Sequence, residues 1–121
     1  MNVIIVGLGN VGMHYLNLIK DIKKIKKIYI LENNKKIQKQ NKNLYFLKLK
    51  DIKNKKLKIN YAIICTPSGS HFNFAKYFLE KRIPTLIEKP LTISLNHAKE
   101  LIKLKIKNKT KCWVAFQNRY N

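Results

Sequence analysis

The feature that most limits what this chain can become is the hexapeptide Gly7-Leu8-Gly9-Asn10-Val11-Gly12. It directly follows residues 2–6 (NVIIV), a short β-branched run of the kind buried on both faces of a parallel sheet. From Asn10 the period changes. Gly12, Tyr15, Leu16, Ile19 and Ile22 recur at helical spacing, with Asn17, Lys20 and Lys23 on the opposite side. A G-x-G-x-x-G pattern is weak by itself, but between a strand and a helix it is a specific signal. Gly7 permits a tight turn, Gly9 keeps a Cβ out of the path of a diphosphate, and Gly12 lets the helix close on the strand. The amides and helix dipole at Asn10, Val11 and Gly12 then make an anion site.

The remaining elements alternate. Residues 27–31 (KIYIL) read as a second strand closed by Glu32, which lies 20 residues beyond Gly12. An acid at about that distance accepts hydrogen bonds from an adenosine ribose and disfavours a 2′-phosphate. NAD is therefore the expected cofactor, with NADP the alternative because Lys35 and Lys36 soften the repulsion. A weak helix is expected over 35–41 and a third strand over 44–47 (LYFL), while residues 51–58 form a basic connection without a legible structure. Residues 61–65 (YAIIC) read as a strand ended by Thr66-Pro67-Ser68-Gly69, which opens a helix running to Arg82. That helix lines up His71, Phe72, Ala75, Phe78 and Leu79. Residues 85–87 form a strand stopped by Glu88-Lys89-Pro90. Ser94 is the expected N-cap of a helix through Lys107 that buries Leu95, Ala98, Leu101 and Ile102, and 112–116 (CWVAF) is the last strand. Such alternation implies right-handed crossovers and a single α/β domain. The expected fold is a doubly wound parallel sheet (Rossmann fold) with strand order 3-2-1-4-5-6.

Charge narrows the choice of partners. Twenty-six basic residues stand against 6 acidic ones, a net charge of +20. That excess would attract phosphate backbones or anionic lipid. Yet all but Arg82 and Arg119 are lysines, spread along the chain beside abundant Ile and Asn, as coding from an AT-rich genome would give. The charge reads mainly as solvated surface. No specific nucleic-acid partner is expected, only weak polyanion binding at low salt. No apolar run reaches the ~20 residues of a membrane span, and the apolar start lacks the cationic region of a signal peptide. Cys65 and Cys112 read as buried free thiols in a cytoplasmic protein. No metal site is expected.

Two further segments sit where strand ends meet a ligand: Thr66-Pro67-Ser68-Gly69-Ser70-His71 and Glu88-Lys89-Pro90. With the glycine turn and the closing Phe116-Gln117-Asn118-Arg119-Tyr120, their order and spacing resemble the glucose–fructose oxidoreductase / inositol dehydrogenase (Gfo/Idh/MocA) family along the whole chain. The resemblance implies an NAD(P)-dependent oxidoreductase acting on a sugar, cyclitol or related hydroxyl compound. It casts Lys89 as the catalytic lysine at the substrate hydroxyl, with Glu88 orienting it or capping nearby backbone groups, and Pro90 as the residue fixing the turn. Thr66 and Pro67 become the wall beside the nicotinamide ribose, and Arg119 a substrate or interdomain contact. His71, in the first helical turn, is assigned a packing or capping role beside the cofactor. The family's second α/β domain, which holds the substrate, is absent from these residues. The chain alone should therefore bind cofactor with little or no turnover, and apolar surface over 113–120 should favour self-association as a homo-oligomer. A stand-alone NAD sensor or partner-binding module is the alternative, and Lys89 within Glu-Lys-Pro is what argues against it.

Overall fold

The computed structural model describes residues 1–54, 56–89 and 94–115. Six strands, β1 (Asn2–Val6), β2 (Lys27–Leu31), β3 (Tyr45–Leu47), β4 (Tyr61–Ile64), β5 (Thr85–Glu88) and β6 (Cys112–Ala115), form one sheet in the order β3-β2-β1-β4-β5-β6. Every pairing is parallel, as strands joined by helical crossovers require. The crossovers carry α1 (Asn10–Ile19), α2 (Lys35–Gln40), α3 (Leu49–Ile52), α4 (Ser68–Glu80) and α5 (Leu95–Lys107). The expected order of strands is therefore the observed one, and winding reverses between β1 and β4.

The period of two along the strands divides the core. Ile4, Val6, Ala62, Ile64 and Ile87 face α4 and α5, where Ala75, Phe78, Leu79 and Leu101 close over them. Val3, Ile5, Ile30 and Ile63 point to the other face and pack with Leu16 of α1. Central strands buried on both sides explain why these runs are apolar without alternation.

Three expectations need correction. The first helix does not carry Ile22 on its buried face. After Lys20 donates to Leu16, the chain tightens into i→i+3 turns at Ile22 and Ile25, and Ile22 is 46% exposed. In α5, Leu101 is buried but Leu95 and Ile102 are 71% and 53% exposed. The stripe that meets the core runs through Leu101, Leu104 and Asn108, whose Nδ2 donates to the Leu79 carbonyl at 2.9 Å. At 100° per residue, Leu95 and Ile102 lie more than ~100° round the helix from that stripe. Third, the helix ending the Thr66 segment stops at Glu80, leaving Arg82 in a left-handed turn with φ 60°. Residues 51–58, illegible in sequence, begin in the single turn of α3, where the Asp51 carboxylate accepts the Lys48 amide at 2.8 Å. The expected end of the last strand, Phe116, lies outside the described residues.

Leu101→Ala is expected to lower unfolding free energy by about 2–5 kcal/mol, whereas Ile102→Ala should change it by no more than about 0.5 kcal/mol. Urea denaturation of the two variants measures the difference; equal losses would contradict the assignment of the buried stripe.

Candidate functional site

The glycine turn is built by three different constraints. Gly7 has φ 92°, a conformation side chains rarely adopt, and its amide donates to the Leu31 carbonyl at 2.8 Å. A Cβ on Gly12 would fall 1.9 Å from the Gly7 carbonyl oxygen, so α1 is pressed against the turn as only glycine allows. Gly9 differs: a Cβ there would meet no atom within 4 Å. Two glycines thus hold the turn closed and the third leaves space in front of the start of α1, a start that no side chain caps.

That space belongs to a cleft of about 690 Å³ at the carboxyl ends of the central strands, a volume ordinary for a ligand pocket. Gly7, Gly9 and Val11 form one wall, and Glu32 closes β2 beside them. Thr66, Pro67 and His71 enter from the β4–α4 junction, and Glu88 with Lys89 from the end of β5. Asn10 and Gly12 do not line the cleft. Asn10 opens α1 at the surface, and Gly12 is buried behind the turn. Pro90 and Arg119 lie outside the described residues, as does the Phe116-to-Tyr120 segment.

Glu32 is more than an acid at a strand end. Its Oε1 accepts the Leu8 amide at 2.8 Å, and its Oε2 accepts the Asn34 amide at 2.9 Å. Its own carbonyl accepts from Gln38 Nε2 at 2.6 Å. The carboxylate therefore ties the glycine turn to the loop that starts α2, and Asn34 caps that helix through Oδ1 to the Lys36 and Ile37 amides. His71 is buried and its Nε2 lies 2.5 Å from the Thr66 carbonyl oxygen. Because a carbonyl only accepts, Nε2 carries the proton. The bond ties the first turn of α4 to the end of β4 beside the cleft.

A contact that sequence reasoning missed joins α1 to β5. The Tyr15 hydroxyl donates to Glu88 Oε2 at 3.1 Å, linking residues 73 positions apart, and Glu88 is buried. Helical spacing marks Tyr15 only as a core-facing residue; nothing local reveals its partner. Burial first, and then the hydrogen bond and charge of Glu88, push the Tyr15 hydroxyl up to about 12. The neighbouring Cys65 thiol is also pushed up to about 12, by burial and then by Glu88. Burial likewise raises the Cys112 thiol, with Lys105 acting the other way. Both cysteines are free and half-buried.

The residues present suit a dinucleotide. Open space before Gly9 would accommodate a diphosphate, and the helix start behind it offers amides and positive dipole. The buried hydroxyl Oγ1 of Thr66 has no hydrogen-bond partner among the described residues, an orphan that a ligand hydroxyl would satisfy. Fold and cleft together define a dinucleotide-binding Rossmann domain.

Residues 1–116 match the family model of the oxidoreductase family with an NAD-binding Rossmann fold (Gfo/Idh/MocA), and the chain belongs to that family. Oxidoreductase YhhX of Escherichia coli (strain K12) is 41% identical over 61 residues, half of this chain and 17% of that protein. GenD2 from gentamicin A biosynthesis, solved in complex with NAD, superposes with TM-score 0.83 at 16% identity, covering 95% of this chain and 34% of its own. The apo scyllo-inositol dehydrogenase of Lactobacillus casei gives TM-score 0.81 at 19% identity, covering 100% of this chain and 38% of its own. The chain thus spans about a third of the length of these solved structures. Among the described residues, no helix is long and apolar enough to cross a membrane.

The two glycine contacts separate by stability. Gly12→Ala should destabilise the domain by about 3 kcal/mol through forced displacement of α1, while Gly9→Ala should leave the melting temperature within about 2 °C of the wild type. Calorimetry on both would refute the geometry if Gly9→Ala unfolded the protein as readily as Gly12→Ala.

The raised groups set an alkaline limit. A tyrosine or thiol whose folded pKa exceeds its unfolded value stabilises the fold fully below the unfolded pKa, and that stability is lost as pH rises. For Cys65 and Tyr15 the window is therefore about pH 9 to 12. Urea midpoints should fall across that window and fall less in Tyr15→Phe; a flat profile in the wild type would contradict it.

Proposed function

We propose that this chain is the cofactor-binding domain of an NAD-dependent oxidoreductase that moves hydride to or from a sugar, cyclitol or related hydroxyl compound. In this reading residues 1–121 are the NAD(P)-binding domain, the substrate is held by a further domain of the family pattern, and the isolated chain binds cofactor with little or no turnover. The observation that carries the proposal is the convergence of the glycine turn, Glu32, Thr66 and Lys89 on one cleft. A nicotinamide dinucleotide bound there supplies the hydride donor or acceptor.

The chain's own residues then have distinct tasks. The amides at the start of α1 hold the diphosphate, and Gly9 lets it come close. Glu32 has both oxygens on main-chain amides, but a carboxylate offers about four lone-pair sites, so ribose hydroxyls can still be accepted. Its charge favours NAD over NADP. Lys89, half-buried on the cleft rim, would move a proton at the substrate oxygen. Tyr15 fixes Glu88, and with it the strand end from which Lys89 emerges. Pro67 and His71 shape the nicotinamide side, and Pro90 would set the turn after Lys89. Arg119 is assigned toward the substrate, and the whole enzyme is read as a homo-oligomer.

NADH fluorescence titration tests this. The wild-type chain should show saturable binding that Gly9→Asp abolishes without unfolding the protein. Glu32→Gln should weaken NADH by about tenfold, the loss of one charge-assisted hydrogen bond, and NADPH by less. Lys89→Ala should leave affinity within about threefold, as a proton-transfer residue allows. No saturable binding, with Gly9→Asp behaving like the wild type, would sink the proposal.

A further inference from the structure

Eight of the 24 lysines, with Arg82, are brought by the topology to one edge. In a parallel sheet every loop that enters a strand emerges at the same edge, and here that edge is opposite the cleft. The loop into β2 carries Lys23, Lys24 and Lys26, bound to the amino terminus through the Met1 amine to the Lys24 carbonyl at 2.8 Å. The loop into β4 carries Lys56 and Lys58, and the Lys58 carbonyl accepts from Asn2 Nδ2 at 2.9 Å. Lys81 and Arg82 enter β5; Lys109 and Lys111 enter β6, where the Lys111 carbonyl accepts the Thr85 amide at 2.9 Å. All of these side chains are exposed. At the cleft end the loops after β1 and β4 carry no charge, Lys48 follows β3, and Glu32 and Lys89 follow β2 and β5; the opposite edge sets only Asp21 and Glu80 against its nine cations.

A second observation is independent of composition. Arg82 and Lys109 are the only non-glycine residues with positive φ among those described, at 60° and 50°. Each ends a helix, α4 or α5, at the position where glycine is ordinarily used and a side chain is strained. An AT-rich coding bias sets how many lysines a chain has; it does not explain an arginine held in that conformation on this edge. A third concerns ring faces. Tyr61 and Trp113, 38% and 45% exposed, line an apolar groove of about 290 Å³ with Met1 and Pro84, near the starts of β4 and β6.

We propose that this edge is a docking surface for single-stranded nucleic acid, bound without sequence specificity and away from the dinucleotide cleft. Six strands at ~4.8 Å make the edge a stripe roughly 24 Å long, enough to follow several phosphates of one strand. A narrow stripe of cations beside exposed aromatic faces suits one flexible polyanionic strand with unstacked bases. A bilayer would instead favour a broad basic plane, whereas these loop ends follow one sheet edge. Lysine, a point charge without a fixed fork, grips phosphate and reads no base edge.

The test is fluorescence anisotropy of a labelled oligothymidylate 12-mer against the full chain from 50 to 200 mM NaCl. Saturable binding should weaken with salt and persist in saturating NADH. Arg82→Gly with Lys109→Gly should raise or preserve the melting temperature, because glycine relieves both turns. The same variant should make the slope of log K against log salt shallower by about 1.4, or ~0.7 per cation lost. Lys24→Gln with Lys26→Gln, which touches no strained turn, should act in the same direction. The proposal is overturned by no binding at 50 mM NaCl, by displacement with NADH, or by an unchanged slope in both variants. It is equally overturned if phosphatidylserine vesicles bind more tightly than the oligomer and compete it away.

Discussion

Much of this molecule depends on one close approach, that of the Gly12 α-carbon to the Gly7 carbonyl. With no Cβ to hold it off, α1 begins directly on the end of β1 instead of a layer above it. Three consequences follow along the same helix. Its uncapped first turn faces the cleft. Leu16 reaches the cluster that seals one face of the sheet. Between them, Tyr15 is carried across to Glu88 at the end of β5. Raising the helix by even a methyl group would disturb anion site, core and strand-end contact together, so their common dependence on Gly12 is geometric.

Glu32 binds the architecture to the chemistry in a second way. An acid at the end of β2 is expected to meet a ribose, and that expectation treats the side chain as a free acceptor. In the folded chain the carboxylate is already engaged by the Leu8 and Asn34 amides. The turn proposed to position the diphosphate and the acid proposed to meet the sugar are thus one hydrogen-bonded unit. Glu32→Gln preserves the acceptor on one side only and introduces a donor on the other, so its effect on cofactor affinity includes some relaxation of the turn.

The sheet was largely legible because its determinants are local. Apolar runs of four or five residues, glycine and proline at their ends, and helical spacing between them identify six strands and four of the helices; alternation then dictates the parallel order. What escaped depends on neighbours distant in sequence. Leu95 and Ile102 have the right residue type for a buried face, but α4 and the sheet select the stripe through Leu101 and Leu104. The turn of α3 is too short to leave a period. The cleft could be read from residue types at strand ends, since a parallel sheet brings all those ends together. The Tyr15–Glu88 bond could not, because it joins side chains whose spacing of 73 residues carries no signal.

The same topological rule accounts for the distribution of charge. A parallel sheet sorts its loops into two sets, those leaving strands and those entering them, and each set occupies one edge. Residues 7–9 and 65–67, which border the cleft, belong to the first set and are short and uncharged. The second set carries eight lysines and Arg82, with Asp21 and Glu80 beside them. The two edges thus have opposite characters, one with backbone amides and carboxylates converging on a cleft, the other with cations facing solvent. An anionic dinucleotide is drawn to the molecule by its whole positive field, but a field this broad cannot hold it in one place. In the proposed reading its position rests on the uncapped amides at the start of α1, where hydrogen bonds are directional and salt screens them least.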